Sequence, residues 1–160
     1  MIRQVRLSDL DRCYEIEKIA YDGSEAATRE KIEKRIQCYP QGFFVYETEG
    51  LVVGLINSAS ADHIEMANDD IKELVGHHDN GKHMVIMSLA VHPGYQRKGY
   101  GRQLLNFFIE HARNLGKESI YLMCQRYLIP FYSGFGFVSQ GVSESNHGDL
   151  TWHEMQLQLF

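Results

Sequence analysis

The sequence predicts an α/β (α+β) domain, a mixed central sheet flanked by helices. Three observations carry that reading. The chain has 160 residues, about one domain at roughly 150 residues per domain. Apolar, β-rich runs alternate with stretches of helical periodicity, in the order β-α-α-β-β-β-α-β-α-β-β. At the centre lie an apolar run at Met84–Val91, an amphipathic stretch from Gly99 to Leu115 and a second strand-like run at Ser119–Cys124. With the two strands parallel, that unit is a right-handed crossover.

The elements follow in order. Ile2–Arg6 reads as a short strand. Ser8 and Asp11 approximate a capping box, which prefers Glu or Gln at its third position. Leu10, Cys13, Tyr14 and Ile16 then predict a helix over about 9–21. A second helix is expected over 25–38, with Ile32 and Ile36 on one face and Pro40-Gln41-Gly42 ending it. Gly42–Thr48 and Leu51–Ser60 are strands, joined at Glu49-Gly50 by a hairpin turn. Residues 61–80 are polar, with Asp62, Glu65, Asp69, Asp70, His77, His78 and Asp79; a short helix near 68–75 and a loop both remain open there. The run Met84–Val91 is short and apolar enough for a buried strand. Leu104, Phe108, His111 and Leu115 share one face of the helix that follows, with Leu105 and Ala112 beside them. Ser119–Cys124 is a strand, Leu128–Ser133 a short helix, Phe135-Gly136-Phe137 the start of a further strand and Asp149–Phe160 a closing β-run.

Composition excludes several classes. Hydrophobic residues are 44% and charged residues 23%, an ordinary globular mix. A net charge of −5 argues against general nucleic-acid binding, which needs a basic face, and is compatible with a cationic substrate. Cys13, Cys38 and Cys124 are odd in number and contain no CxxC pair, so a reducing, cytoplasmic compartment is expected. The first residues have charges throughout and no apolar stretch typical of a signal peptide. The apolar run at 84–91 is far too short to span a bilayer. Neither a membrane nor a nucleic-acid partner is expected.

Between the central strand and its helix lies Gln96-Arg97-Lys98-Gly99-Tyr100-Gly101-Arg102. A turn at a helix start presents unpaired N–H groups and about half a positive charge from the helix dipole. Glycines let the backbone approach an anion closely, and three cationic side chains stand beside it. Physically this is a pyrophosphate cradle. The spacing is neither the dinucleotide-binding GxGxxG nor a Walker motif. On glycine spacing alone, an ordinary strand–helix turn with solvated basic side chains is an equal alternative.

The wider segment Leu89-Ala-Val-His-Pro-Gly-Tyr-Gln-Arg-Lys-Gly-Tyr-Gly-Arg-Gln-Leu-Leu105 resembles the acetyl-CoA-binding segment of the GCN5-related N-acetyltransferases. The family signature Gln/Arg-x-x-Gly-x-Gly/Ala is met by Gln96, Gly99 and Gly101. A second block, Pro130-Phe-Tyr-Ser-Gly-Phe-Gly-Phe137, is similar to the family's tyrosine-bearing helix and the strand after it. Tyr121–Cys124, Leu128–Tyr132 and Gly148–Met155 resemble the aralkylamine (serotonin) N-acetyltransferase branch. The likeness runs over most of the chain, strongest over Met84–Phe137 and thin in 61–80.

The resemblance implies one N-acetyltransferase domain over residues 1–160, transferring acetyl from acetyl-CoA to a primary amine by direct attack in a ternary complex. The backbone of Gln96, Arg97, Lys98, Gly99, Tyr100 and Gly101, and onward to Arg102, would hold the pyrophosphate. Leu89, Ala90 and Val91 would line the pantetheine arm where a bulge frees backbone groups, with the Leu89 N–H as oxyanion donor; both roles are compatible with these residues being strand core. Tyr132 would be the general acid for the departing thiolate, with Tyr127 a weaker competitor. Cys124 would lie near the thioester path, as a small core hydrophobe rather than a nucleophile. The branch's histidine pair is replaced here by Val85 and Met87, so the base must lie elsewhere. His83 shares the strand face of Val85. Asp62, His63, Glu65, His153 and Glu154 are further candidates, and a water chain is an equal one. His77-His78-Asp79 with His83 matches no zinc spacing and reads as a solvated loop, and no metal is expected. His92, before Pro93, reads as structural. The acceptor is expected to be a small arylalkylamine or polyamine, and the chain a monomer or homodimer. The alternatives are a protein lysine or N-terminal amine as acceptor, and an idle module that senses CoA.

Overall fold

A computed structural model describes residues 1–21, 26–65, 71, 73–142 and 151–160. Asp69, Asp70, half of the alternative helix at 68–75, the expected helix start at Glu25 and residues 148–150 of the closing segment lie outside the described residues.

The strands are β1 (Ile2–Gln4), β2 (Phe43–Thr48), β3 (Leu51–Ala61), β4 (His83–Val91), β5 (Ser119–Cys124), β6 (Val138–Val142) and β7 (His153–Gln158). The helices are α1 (Leu10–Ala20), α2 (Arg29–Cys38), α3 (Tyr100–Asn114) and α4 (Ile129–Ser133). The seven strands form one mixed sheet in the order β1-β2-β3-β4-β5-β7-β6. The β4–β5 pair is parallel, as the crossover over α3 requires, and β1–β2, β2–β3, β5–β7 and β6–β7 are antiparallel. The mixed α/β fold and its order of elements are those the sequence predicts.

The chain divides into two compact units, Met1–Ser58 with Ser88–Phe108, and Ala59–Met87 with Ile109–Phe160. In the first, Leu10, Cys13 and Ile16 of α1 and Ile32 and Ile36 of α2 pack in one core with Phe43 and Leu55. The Glu49-Gly50 turn has φ of 52° and 76°, the doubly left-handed geometry of a tight hairpin. In the second unit, Ile120 pairs with Leu157 and Leu122 with Met155 across the β5–β7 ladder, all four buried.

Four local expectations change. The cap before α1 is not Ser8 with Asp11. The Asp9 carboxylate instead accepts the Arg6 N–H at 2.8 Å and binds Arg3 through both oxygens. Burial pushes the Asp9 carboxyl up, but Arg3 and the Arg6 N–H outweigh it and hold the group below its ordinary value. The second helix begins at Arg29, capped by Thr28 Oγ1 accepting the Lys31 N–H at 3.3 Å. The strand expected from Phe135 begins at Val138, because Gly136 at φ 99° closes a turn there. Leu115 is 51% exposed, since α3 stops at Asn114 and Gly116 turns the chain at φ 75°.

Candidate active site

In the first unit, the end of β4 leads into a tightly specified turn. His92 Nδ1 accepts the Gly94 N–H at 3.1 Å, capping a short 3-10 turn at Pro93–Tyr95, and so is structural. Gln96 Nε2 donates to the Val91 carbonyl at 3.1 Å. Arg97 and Gly99 then adopt left-handed φ of 64° and 83°. A left-handed residue among right-handed or extended neighbours turns successive N–H groups toward one point, a concave anion site. At the start of α3, around Tyr100 and Gly101, backbone N–H groups point outward along the helix axis. Gln96, Arg97, Lys98, Gly99 and Arg102 are exposed. The Tyr100 ring stacks on Tyr46 with centroids 4.3 Å apart, and Lys98 Nζ lies 5.9 Å from the centre of the Tyr95 ring.

Leu89 is half-buried and Ala90 buried in β4. The Leu89 N–H, expected to be freed by a bulge, has a partner. The Tyr21 hydroxyl accepts it at 3.3 Å and donates to the Leu89 carbonyl at 3.0 Å. Tyr21 belongs to no motif and lies 68 positions from Leu89, so sequence reading misses it. The only cue is a tyrosine at the end of the first helix.

In the second unit, the β4–β5 ladder pairs His83 with Ser119, Met84 with Ile120 and Val85 with Tyr121, and stops there. β5 continues to Cys124 paired with β7 alone. Tyr132, in α4, is buried, its ring edge-on to Phe131 and Phe137. Burial, and then the neighbouring Cys124 and Tyr127, push its phenol well above the ordinary tyrosine value. Tyr127 is 73% exposed, unlike its competitor. Cys124 is buried, and its Sγ lies 3.6 Å from Met155 Sδ. Burial pushes its thiol up to about 11, so it is not a thiolate at neutral pH.

His83 begins β4, with Nδ1 2.9 Å from Ser119 Oγ and its ring edge-on to Tyr121. Leu89 lies six positions further along the chain. Val85 is buried and Met87 half-buried. Asp62 accepts the Lys82 N–H at 3.1 Å. His63 and Glu65 are an exposed pair 3.7 Å apart. His153 lies opposite Cys124, and Glu154 opposite Met123, in the β5–β7 ladder. His77 is not solvated. Its side chain is 10% exposed, and Nδ1 accepts the Ser60 N–H at 3.0 Å while Nε2 meets Asp79 at 2.7 Å. Both ring nitrogens are therefore committed to structure. Lys117 is buried, its Nζ donating to the carbonyls of Asp79 and Gly81; burial lowers its pKa, against the pull of Asp79 and Asp62. Among the described residues, no group of three His, Cys, Asp or Glu could hold a metal, and no helix is long and apolar enough to cross a membrane.

The buried thiols carry a stability consequence. Burial raises Cys13 to about 12 and Cys124 to about 11, from an ordinary value of 9.0. A pKa raised on folding contributes stability that is complete below the unfolded value and lost as pH rises through the folded one. Thermal melts are therefore expected to show Tm falling progressively above about pH 9. Replacing Cys124 by Val should flatten that decline, and an equally steep decline in the variant would contradict the assignment.

Against known proteins, the family model "Acetyltransferase (GNAT) family" matches residues 10–137. Serotonin N-acetyltransferase of Mesocricetus auratus is 28% identical over 153 residues, covering 91% of this chain and 71% of that protein. "Probable hydrolase YhcX" of Bacillus subtilis (strain 168) is 29% identical over 127 residues, covering 75% of this chain; the chain spans only 25% of that protein's length. Among solved structures, a GNAT-like decarboxylase, GphF, in complex with isobutyryl-CoA superposes with a TM-score of 0.88 over all of both chains at 21% identity, a likeness of fold. With the model match covering well over half its length, the chain belongs to the acetyltransferase (GNAT) family.

Proposed function

We propose that this chain transfers acetyl from acetyl-CoA to a primary amine by direct attack in a ternary complex, with a small arylalkylamine or polyamine as acceptor, and that residues 1–160 act as one acetyltransferase domain. The observation that carries this is the turn before α3, left-handed at both Arg97 and Gly99. Its backbone N–H groups, with those at the start of α3, hold the cofactor pyrophosphate. Leu89, Ala90 and Val91 form the strand edge along which the pantetheine arm runs, and the Leu89 N–H receives the thioester oxygen.

In the transfer, the amine lone pair attacks the thioester carbon. The carbonyl oxygen gains charge against the Leu89 N–H. The C–S bond then breaks, and the second proton of the attacking nitrogen passes to the CoA sulphur, giving the amide and the thiol of CoA. Tyr132 donates a hydrogen bond to the departing sulphur. A phenol held protonated by burial keeps its proton at neutral pH but yields it reluctantly, so its main contribution is to stabilise thiolate charge. The acceptor must first lose a proton. For an ordinary alkylammonium with a pKa of about 10.4, this costs about 4.6 kcal/mol at pH 7. His83 is the end point for that proton, through a chain of water. Cys124 is a wall of the thioester path.

The acceptor class rests on the second unit. A cavity of about 230 Å³ is lined by Ile64, Ile71 and Val75, with His63 and Glu65; apolar walls and a carboxylate suit an apolar cation. Free Cys13, Cys38 and Cys124 support a reducing, cytoplasmic setting. The test is CoA release from acetyl-CoA over a panel of arylalkylamines, polyamines and peptides with free N-termini or lysines. Turnover of the small amines is expected. Turnover of peptides alone would replace the acceptor class, and acetyl-CoA binding without turnover would make the chain a sensor.

Gly99→Ala tests the cradle. A side chain at φ 83° is disfavoured by about 1 kcal/mol, although a Cβ there would meet only the Gln103 side chain at 4.0 Å. The acetyl-CoA Kd, by calorimetry, is expected to rise about fivefold.

A further inference from the structure

A residue in a strand turns its N–H and its C=O to the same edge, where a neighbouring strand or an extended ligand can take both. At Leu89 one hydroxyl takes both. The Tyr21 oxygen accepts from Leu89 N at 3.3 Å and donates to Leu89 O at 3.0 Å. A phenol can do so because it is donor and acceptor at once. The two contacts differ in quality. The bond to the carbonyl is ordinary, while 3.3 Å from an N–H is at the weak end of the range. The Tyr21 ring also packs against the core that includes Cys13, Ile16 and Ala90, which fixes where the hydroxyl can reach.

We infer that the Tyr21 hydroxyl is a placeholder for the thioester oxygen of acetyl-CoA, a positioning residue that holds the Leu89 peptide in orientation and yields the N–H when the acyl group arrives. The inference rests on the reading of Leu89 as the oxyanion donor. An N–H with no acceptor in a partly buried strand is unfavourable, and the hydroxyl removes that penalty in the ligand-free enzyme. The cost is competition, because a thioester oxygen can take the N–H only as Tyr21 gives it up, so the hydroxyl lowers affinity for acyl-CoA specifically. Free CoA has no thioester oxygen and should not feel it.

Tyr21→Phe keeps the ring and removes the hydroxyl. Calorimetric Kd values for acetyl-CoA and for free CoA are compared in wild type and variant. Y21F is expected to bind acetyl-CoA about 2- to 10-fold more tightly, the worth of one net hydrogen bond, with free CoA changed less than about twofold. A general structural defect would weaken both ligands, so the ratio separates the two. Unchanged acetyl-CoA affinity overturns the placeholder. Weaker acetyl-CoA binding also overturns it, making the hydroxyl a partner of the bound acetyl group. Equal tightening of both ligands overturns it too, locating the competition at the pantetheine arm. If wild type binds neither ligand, the functional reading fails and the inference fails with it; binding without the expected ratio leaves that reading standing.

Discussion

Tyr132→Phe is expected to lower kcat about 10²- to 10³-fold, the range for loss of a donor that stabilises developing negative charge, while acetyl-CoA Kd changes little. The ring is buried against Phe131 and Phe137, and phenylalanine fills the same space, so the fold should persist. What disappears is the donor proposed for the leaving sulphur. Thiol release under saturating acetyl-CoA measures kcat, and calorimetry measures Kd; a variant with wild-type kcat would remove Tyr132 from the chemistry. The pH profile adds an independent check. Burial holds this phenol well above its ordinary value, so it stays protonated through the alkaline range. No loss of kcat attributable to Tyr132 is expected up to about pH 10, where an unperturbed tyrosine would be half ionised.

Gly81→Ala is expected to give the largest loss of stability. A Cβ there would stand 2.5 Å from both the Cα and the N of Ala61 and 2.6 Å from its carbonyl carbon. Those are backbone atoms, which cannot rotate away as a side chain can. Both sides are also pinned. Gly81 donates to the His78 carbonyl and accepts from Lys117 Nζ at 2.6 Å, while His78 N–H bonds the Ser60 carbonyl at 2.8 Å. Overpacking of this kind costs about 1–3 kcal/mol, or roughly 2–4 °C of Tm per kcal/mol for a chain of this size. Urea unfolding measures the loss, and a midpoint equal to wild type would show that the contact between Ala61 and position 81 relaxes without penalty.

Legibility differed with the range of the interaction that decides each feature. The turn was readable because its determinants are contiguous. Gln96, Gly99 and Gly101 supply a tether, a left-handed position and room, all within six residues. Arg97 is the exception, since nothing in an arginine announces φ 64°. α3 was readable from its apolar period, but its end was not. Leu115 continues the period, yet Gly116 turns the chain and leaves it exposed.

Other assignments failed because a polar group's role depends on its partners. Ser8 and Asp11 approximate a capping pattern, but the Asp9 carboxylate instead closes the 3-10 turn that precedes α1, since Arg3 and the Arg6 N–H both reach it. His77 reads as a solvated loop residue, and becomes part of the structure because the Ser60 N–H, seventeen positions earlier, needs an acceptor.

The sequence by itself determined the mixed α/β fold, the family and the glycine-bearing turn before α3, because periodicity and short motifs record local backbone requirements. The tertiary structure alone decided which groups are occupied. Tyr21 reaches Leu89 across 68 positions, and Tyr132 is held protonated by its burial. Both effects arise from groups that only folding brings near, and no spacing along the chain encodes them.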